Sequence, residues 1–503
     1  MNTSLNIPRY NKNNIEKCQL KFKTNILDNV NDMPLIKKNL ISLSLNCGLQ
    51  SELIRPITWK IFLKTLPCEK NTTLRTWINE TYQKREAFKS KMKKIKAENA
   101  EIDSTSNINS NTYSNFDEYS SLIHLIKIDV ERTYPDTKLF QNEYIRELEE
   151  TLLNIFAIEN KPVSYKQGMN EILAMLILCF YPFYLTSPTK IYTQEKFDLW
   201  LSNPSKYLNQ IYSFFHDENE FICDLYYVFY NIMNMGLNKL YDDEDLIKDP
   251  STNKNVTYLI KRCDDIEGKL SKYNYSLYEH FYDIGLHLEI VLQRWLKCVF
   301  TREFMTDEVV YIWDNILGNE TNAPSNYLEY IDNFCIALFE YLGNTLLNKD
   351  QNDCLLTLFK YPPVPSMRVI IEISEKVKNS LNKTGLLAKL NAQNISNGIS
   401  NISSKMSTSI SKLFDEGKQL VEKIKNNNNT NPNKGEQKKR KPVSMFPEDD
   451  KEKKPAQNTD YYIVDNKRDL KELKSIIDRY KGKFSSEDKM KIDTLIYSLD
   501  LKI

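Results

Sequence analysis

The chain has 503 residues, 41% of them apolar, and a mean hydropathy of −0.52, which supplies a sizeable core together with much polar or unfolded chain. Its 68 basic and 67 acidic residues nearly cancel, excluding a global basic field of the kind that holds nucleic acid or anionic membrane. Nine scattered cysteines without a C-x-x-C pair read as reduced thiols filling apolar space, and the four histidines lack metal-ligand spacing.

Residues 1–33 read as a polar, Asn-rich tail with no signal-peptide pattern. Helical stretches alternate over 34–66 around Cys47-Gly48, and a charged helix is predicted over 70–95. The Ser- and Asn-rich residues 96–115 read as a long surface loop. Leu122, Ile123, Ile126 and Val130 then share one helical face, and Asp129 lands inside it. A carboxylate there is costly unless paired, and Arg132, three residues on, is the nearest cation. Pro135 directs Tyr134 toward extended geometry, so the helix is predicted to stop near Arg132 or Thr133. That leaves a planar, always-charged guanidinium at a helix end with an acid to aim it, an arrangement suited to phosphate.

A second helix carries Ile145, Leu148, Leu152, Ile155 and Phe156 before Pro162 breaks it. Gly168 is read as the cap of a very apolar helix over Met169–Phe180, ended by Pro182. Gln167 then stands at the mouth of a buried helix, where its amide can orient a water by donating and accepting together. Taken singly, both residues are ordinary. An Arg in a last helical turn commonly serves the helix dipole or an ion pair, and a Gln before an apolar helix commonly caps it.

The longest apolar run, Ile172–Leu185, is interrupted by Pro182 and is too short to span a bilayer. Residues 186–205 read as a polar insertion, and Leu208–Met235 repeats apolar residues at helical spacing, with its aromatics as core. Asp242-Asp243-Glu244-Asp245 lacks the spacing and glycine of a calcium loop and reads as solvated. Helices continue over 255–350, with Trp295 and Trp313 as apolar anchors, and strand-like alternation is scarce, so the folded part is expected to be all-α.

Beyond Pro362-Pro363 the composition shifts. An amphipathic helix is expected within 376–425, where Ile395, Ile399, Ile402, Met406, Ile410 and Leu413 step by three or four against a Ser-rich face. The stripe over 391–414 fits a coiled-coil seam, a peripheral membrane contact or docking on the preceding domain. Residues 426–459 read as a disordered linker, and 460–503 as a helical hairpin. Tyr461-Tyr462-Ile463-Val464 after Asp460 resembles a short motif read by ubiquitin-like autophagy proteins.

Ile126-x-x-Asp129-x-x-Arg132 followed by Tyr165-x-Gln167-Gly168-Met169 resembles the two signature motifs of the TBC domain, a family of GTPase-activating proteins for Rab GTPases. The resemblance extends to Arg55-Pro56-Ile57-Thr58-Trp59-Lys60, Arg294-Trp295, Arg302-Glu303-Phe304 and Ile312-Trp313-Asp314, in the family's order over roughly 40–363. It is greatest to the family's endosomal, retromer-linked branch. It implies a two-lobed, V-shaped, all-α domain over 34–375 that grips a Rab, with Arg132 and Gln167 as catalytic fingers. Asp129 would hold Arg132; Tyr165 would help position Gln167; Gly168 would be a supporting residue; Arg55, Trp59, Arg294, Trp295, Trp313 and Asp314 would be structural. No cofactor of its own is implied, because GTP and Mg²⁺ arrive with the partner, and the expected location is cytoplasmic, peripheral to endosomal or other endomembranes. The competing reading is a Rab-binding trafficking scaffold without catalysis.

Overall fold

The computed structural model describes residues 12–383, apart from 105–109, 162, 187–190, 249–252, 323 and 325–327. Helices α1 (Lys12–Asn25), α2 (Met33–Leu45), α3 (Leu49–Glu52) and α4 (Arg55–Phe62) open the fold, followed by the long α5 (Leu74–Ser104) and α6 (Ser110–Glu131). Next come α7 (Glu143–Glu159), α8 (Met169–Phe180), α9 (Gln194–Ser202), α10 (Leu208–Phe215) and α11 (Phe221–Asn234). A small antiparallel ribbon, β1 (Leu246–Lys248) with β2 (Asn255–Thr257), pairs Ile247 with Val256. Helices α12 (Tyr258–Tyr273), α13 (Tyr275–Asp283), α14 (Glu289–Cys298), α15 (Thr306–Asn322), α16 (Tyr330–Tyr341), α17 (Gly343–Leu346) and α18 (Gln351–Phe359) complete the body. A last helix, α19, covers residues 367–383. The all-α expectation holds, and no described helix is long and apolar enough to cross a membrane.

The core forms around α8. A helix that is apolar on every side must be enclosed, and only Glu171 and Leu178 of α8 escape full burial. Helices α4, α6, α7, α11 and α14 pack against it. All nine cysteines are unpaired, and all but Cys47 are buried.

Buried carboxylates fix how the helices align. Asp314 on α15 accepts from Arg55 Nε (3.0 Å) and Nη2 (2.9 Å) and from Trp59 Nε1 (2.8 Å) on α4. The Trp59 and Trp313 rings stack at 5.7 Å, and the Ser44 hydroxyl on α2 donates to the Asp314 carbonyl. Gly318 lets α15 approach α2 this closely, since a Cβ there would stand 2.8 Å from Ser44 Oγ. Asp224 on α11 gathers Lys60 (2.8 Å), Arg85 (2.8 and 2.7 Å) and Tyr184 (2.7 Å). Burial alone would raise the Asp224 carboxyl, but Arg85 and Lys60 overcome it and keep the group ionised. Glu149 on α7 is different. It is fully buried and neither oxygen meets a hydrogen-bond partner among the described residues. Burial pushes its carboxyl well up, helped by Glu171 and Glu150 and opposed by Arg146.

Several sequence expectations need correction. Residues 12–27 are no free tail: Cys18, Phe22 and Ile26 recur every four residues and bury against the core, with Phe22 edge-on to Tyr212 at 5.5 Å. The expected loop over 96–115 shrinks, because strong helix formers carry α5 to Ser104 and α6 begins at Ser110. Within 186–205, Thr193 caps α9, and Phe197 and Trp200 pack on Phe214 at 5.5 and 6.0 Å. Leu208–Met235 is two helices, parted where Asp217 accepts from the Asn219 amide at 3.1 Å. The boundary expected at 375 falls inside α19, whose Val377 is still buried. The helix expected over 376–425 lies outside the described residues beyond 383, as do the linker over 426–459, the hairpin over 460–503 and the contacts assigned to 391–414 and 461–464.

Two measurements check the buried charges. Arg55→Ala strands Asp314 and is expected to lower unfolding free energy by about 3–5 kcal/mol in urea titrations. Glu149, raised above the ordinary glutamate value of 4.5, contributes stability that is complete below that pH and is lost as pH rises toward its folded value. Glu149→Gln should therefore gain on the parent protein as pH rises above 4.5, by up to about 1.4 kcal/mol per pH unit. Parallel denaturation curves would refute the buried-acid assignment.

Candidate functional site

Helix α6 ends at Glu131, so Arg132 sits in the turn just beyond, as its spacing from Pro135 predicts. The turn is tighter than expected. Tyr134 takes a left-handed φ of +43° rather than an extended one, and its ring lies 5.5 Å from Phe140. Asp129, with no exposed surface, pairs through Oδ1 with Arg132 Nη2, while the Arg132 side chain stays 53% exposed.

The second segment arrives through a compact turn. Ser164 adopts φ +55°, and its amide donates to the Asn160 carbonyl at 2.6 Å. Gly168 caps α8 with φ +107°, a conformation L side chains rarely adopt, and a Cβ there would stand 3.2 Å from Tyr241 Oη and 3.6 Å from Cys298 Sγ. Gln167, immediately before it, is exposed and its amide has no hydrogen-bond partner among the described residues. Its neighbour Lys166 pairs with Asp243 at 3.0 Å, so the acidic cluster borders this loop.

One buried network joins the two segments. Tyr165 donates its hydroxyl to Asp129 Oδ2 at 2.6 Å, and burial, reinforced by that acceptor, pushes the phenol well up, so it remains a donor. Thr133 Oγ1 donates to the Asp129 carbonyl (2.7 Å) and accepts from Asn170 Nδ2 (2.8 Å). Asn170 Oδ1 in turn accepts from the Gly168 amide at 3.0 Å. Tyr165, expected to help position Gln167, braces Asp129 and also lies 3.2 Å from Asn170 Oδ1, which holds the Gly168 amide. Thr133 and Asn170 had no role in the sequence reading, and the one local signal was an Asn in the first turn of an otherwise apolar helix.

Glu171, on the same turn of α8, lies 3.6 Å from Arg302. Burial pushes its carboxyl up, against the pull of Arg302 and Arg132. The structural motif residues separate into two clusters. Arg55, Trp59, Trp313 and Asp314 assemble as described above. Arg294 instead pairs with Glu303 (Nε–Oε1 2.7 Å), and Trp295 packs on Phe339 at 5.0 Å. The outcome at the surface is a guanidinium and an amide, both accessible and both mounted on one hydrogen-bonded frame.

Residues 52–347 match the Rab-GTPase-TBC domain family. The chain is 25% identical over 340 residues to TBC1 domain family member 5 of Mus musculus, covering 65% of this chain and 40% of that one. It is 23% identical over 444 residues to TBC1 domain family member 5 homolog B of Dictyostelium discoideum, covering 69% and 42%. It is 25% identical over 279 residues to the GTPase-activating protein GYP1 of Saccharomyces cerevisiae, covering 54% and 36%. The chain thus spans about 40% of the length of the first of these relatives. The crystal structure of the Ypt/Rab-GAP domain of Gyp1p shares the fold, with a TM-score of 0.52 at 17% identity, covering 72% of this chain and 97% of that one. By the extent of that match, this chain belongs to the Rab-GTPase-TBC domain family.

Proposed function

We propose that the protein is a GTPase-activating protein for a Rab-family small GTPase and supplies Arg132 and Gln167 to the partner's active site. The observation that carries this reading is the shared frame: Asp129, Tyr165, Thr133 and Asn170 tie the two exposed side chains to one buried network. GTP and Mg²⁺ come with the partner as its bound substrate.

In hydrolysis a water attacks the γ-phosphorus, the bond to the β-phosphate oxygen breaks, and negative charge spreads over the transferring group. Arg132 meets Asp129 through Nη2 while its side chain stays 53% exposed, which leaves the guanidinium accessible to that charge. Asp129 and Tyr165 hold the guanidinium so that little ordering remains to be done at the moment of reaction. Gln167 accepts from the attacking water and donates to a phosphate oxygen, which sets the line of attack without abstracting a proton. The same reading places the protein in the cytoplasm, peripheral to the endosomal or other endomembranes that carry its Rab.

Single-turnover GTP hydrolysis by a panel of Rab proteins, with and without the full chain, tests the proposal. Acceleration of a subset is expected, and Arg132→Ala should reduce it by about 10³- to 10⁵-fold. Gln167→Ala should cost about 10²-fold or more. Tyr165→Phe should lower kcat about tenfold at unchanged KM, because it loosens the brace and leaves the surface intact. Binding without acceleration would return the protein to the scaffold reading.

A further inference from the structure

Helix α6 has two unlike faces. Ile126, Asp129 and Val130 are buried, whereas Leu125 and Ile128 are left 43% and 41% exposed. At about 100° per residue, Leu125 and Ile128 fall within roughly 60° of one another around the helix axis, and Arg132 follows in the turn just past its end. They form a single stripe about 10 Å long that ends at the guanidinium. Exposed Ser121, His124, Lys127 and Glu131 flank it, so two aliphatic side chains stand in water inside a polar border.

We propose that Leu125 and Ile128 are the apolar anchor on which the GTPase docks, seating an apolar face beside its nucleotide so that the phosphates meet Arg132. This rests on the GTPase-activating reading above. A partner whose phosphate reaches Arg132 must lie over the helical turns next to it. Ile128 is about 6 Å and Leu125 about 10 Å back along the axis, well inside a patch of about 800 Å² per partner. The occupant of the stripe is therefore whatever occupies the finger. An apolar centre with a polar border is also how protein interfaces divide affinity from specificity. The anchor holds the GTPase before and during the reaction alike, so its contribution appears in KM, whereas Arg132 acts on the charge that develops later and appears in kcat.

The test uses the full chain as Leu125→Ser/Ile128→Ser and as Arg132→Ala. Each is titrated against a Rab panel loaded with GTP for hydrolysis and with a non-hydrolysable GTP analogue for binding. The double variant is expected to raise KM and the analogue-state Kd by about tenfold or more, with kcat within twofold of the parent. Arg132→Ala should show the reverse split. Leu125→Met/Ile128→Leu should restore KM. If the parent chain binds a GTP-loaded Rab through this stripe but hastens no hydrolysis, the activating function falls while the docking surface stands. If the double variant binds as the parent does, the proposal is overturned. A changed sedimentation coefficient would then assign the stripe to a second copy, and a lowered melting temperature to residues 384–503 of the same chain. No binding to any panel member overturns both readings.

Discussion

Asp129 carries a negative charge into a place without exposed surface, and its two oxygens are committed in opposite directions. One meets Arg132 on its own turn; the other accepts the Tyr165 hydroxyl from a segment 36 residues away. An anion stripped of water is tolerable only when such partners are present together. The turn after α6 and the turn before α8 are consequently held to one geometry. The surrounding aliphatic core tolerates many arrangements of similar volume, whereas this carboxylate tolerates few.

The same device recurs at larger scale. Asp314 draws Arg55 and Trp59 from more than 250 residues away in the chain, and Asp224 draws Lys60, Arg85 and Tyr184. Net stabilisation from such ion pairs is small once desolvation is counted. What they supply is alignment, since a helix that slides by one turn strands a charge. Trp59, stacked on Trp313 and 6.1 Å from Phe180 at the far end of α8, connects that alignment to the helix whose first turn carries the site. Glu149 departs from the pattern, because neither oxygen has a hydrogen-bond partner among the described residues and burial, only partly opposed by Arg146, pushes its carboxyl well up.

Local signals explain what was readable from the sequence. The bounds of α8 and its Gly168 cap follow from an unbroken apolar run framed by turn residues, and the Asp129–Arg132 pair follows from a three-residue spacing. Thr133 and Asn170 were not readable, because the bond between them joins positions 37 apart and each alone is an unremarked polar residue. Composition averaged over a window concealed Cys18, Phe22 and Ile26 within a polar stretch, and hid Phe197 and Trp200 likewise. Tyr134 shows a neighbour rule yielding to packing, since the preference before Pro135 gives way to the contact with Phe140.

Gly168 touches two residues made much later in synthesis: Tyr241, whose hydroxyl also donates to the Lys297 carbonyl at 2.5 Å, and Cys298. The backbone that presents Gln167 is therefore cast against a mould contributed by residues about 70 to 130 positions further along the chain. Contacts of such sequence separation form late, after the loop-closure entropy of the intervening chain has been overcome. A nascent chain that has emerged only through α8 holds both motifs in its sequence and lacks the surface that shapes one of them. The Gln167-Gly168 backbone thus meets its full set of neighbours only once the chain through Cys298 is in place.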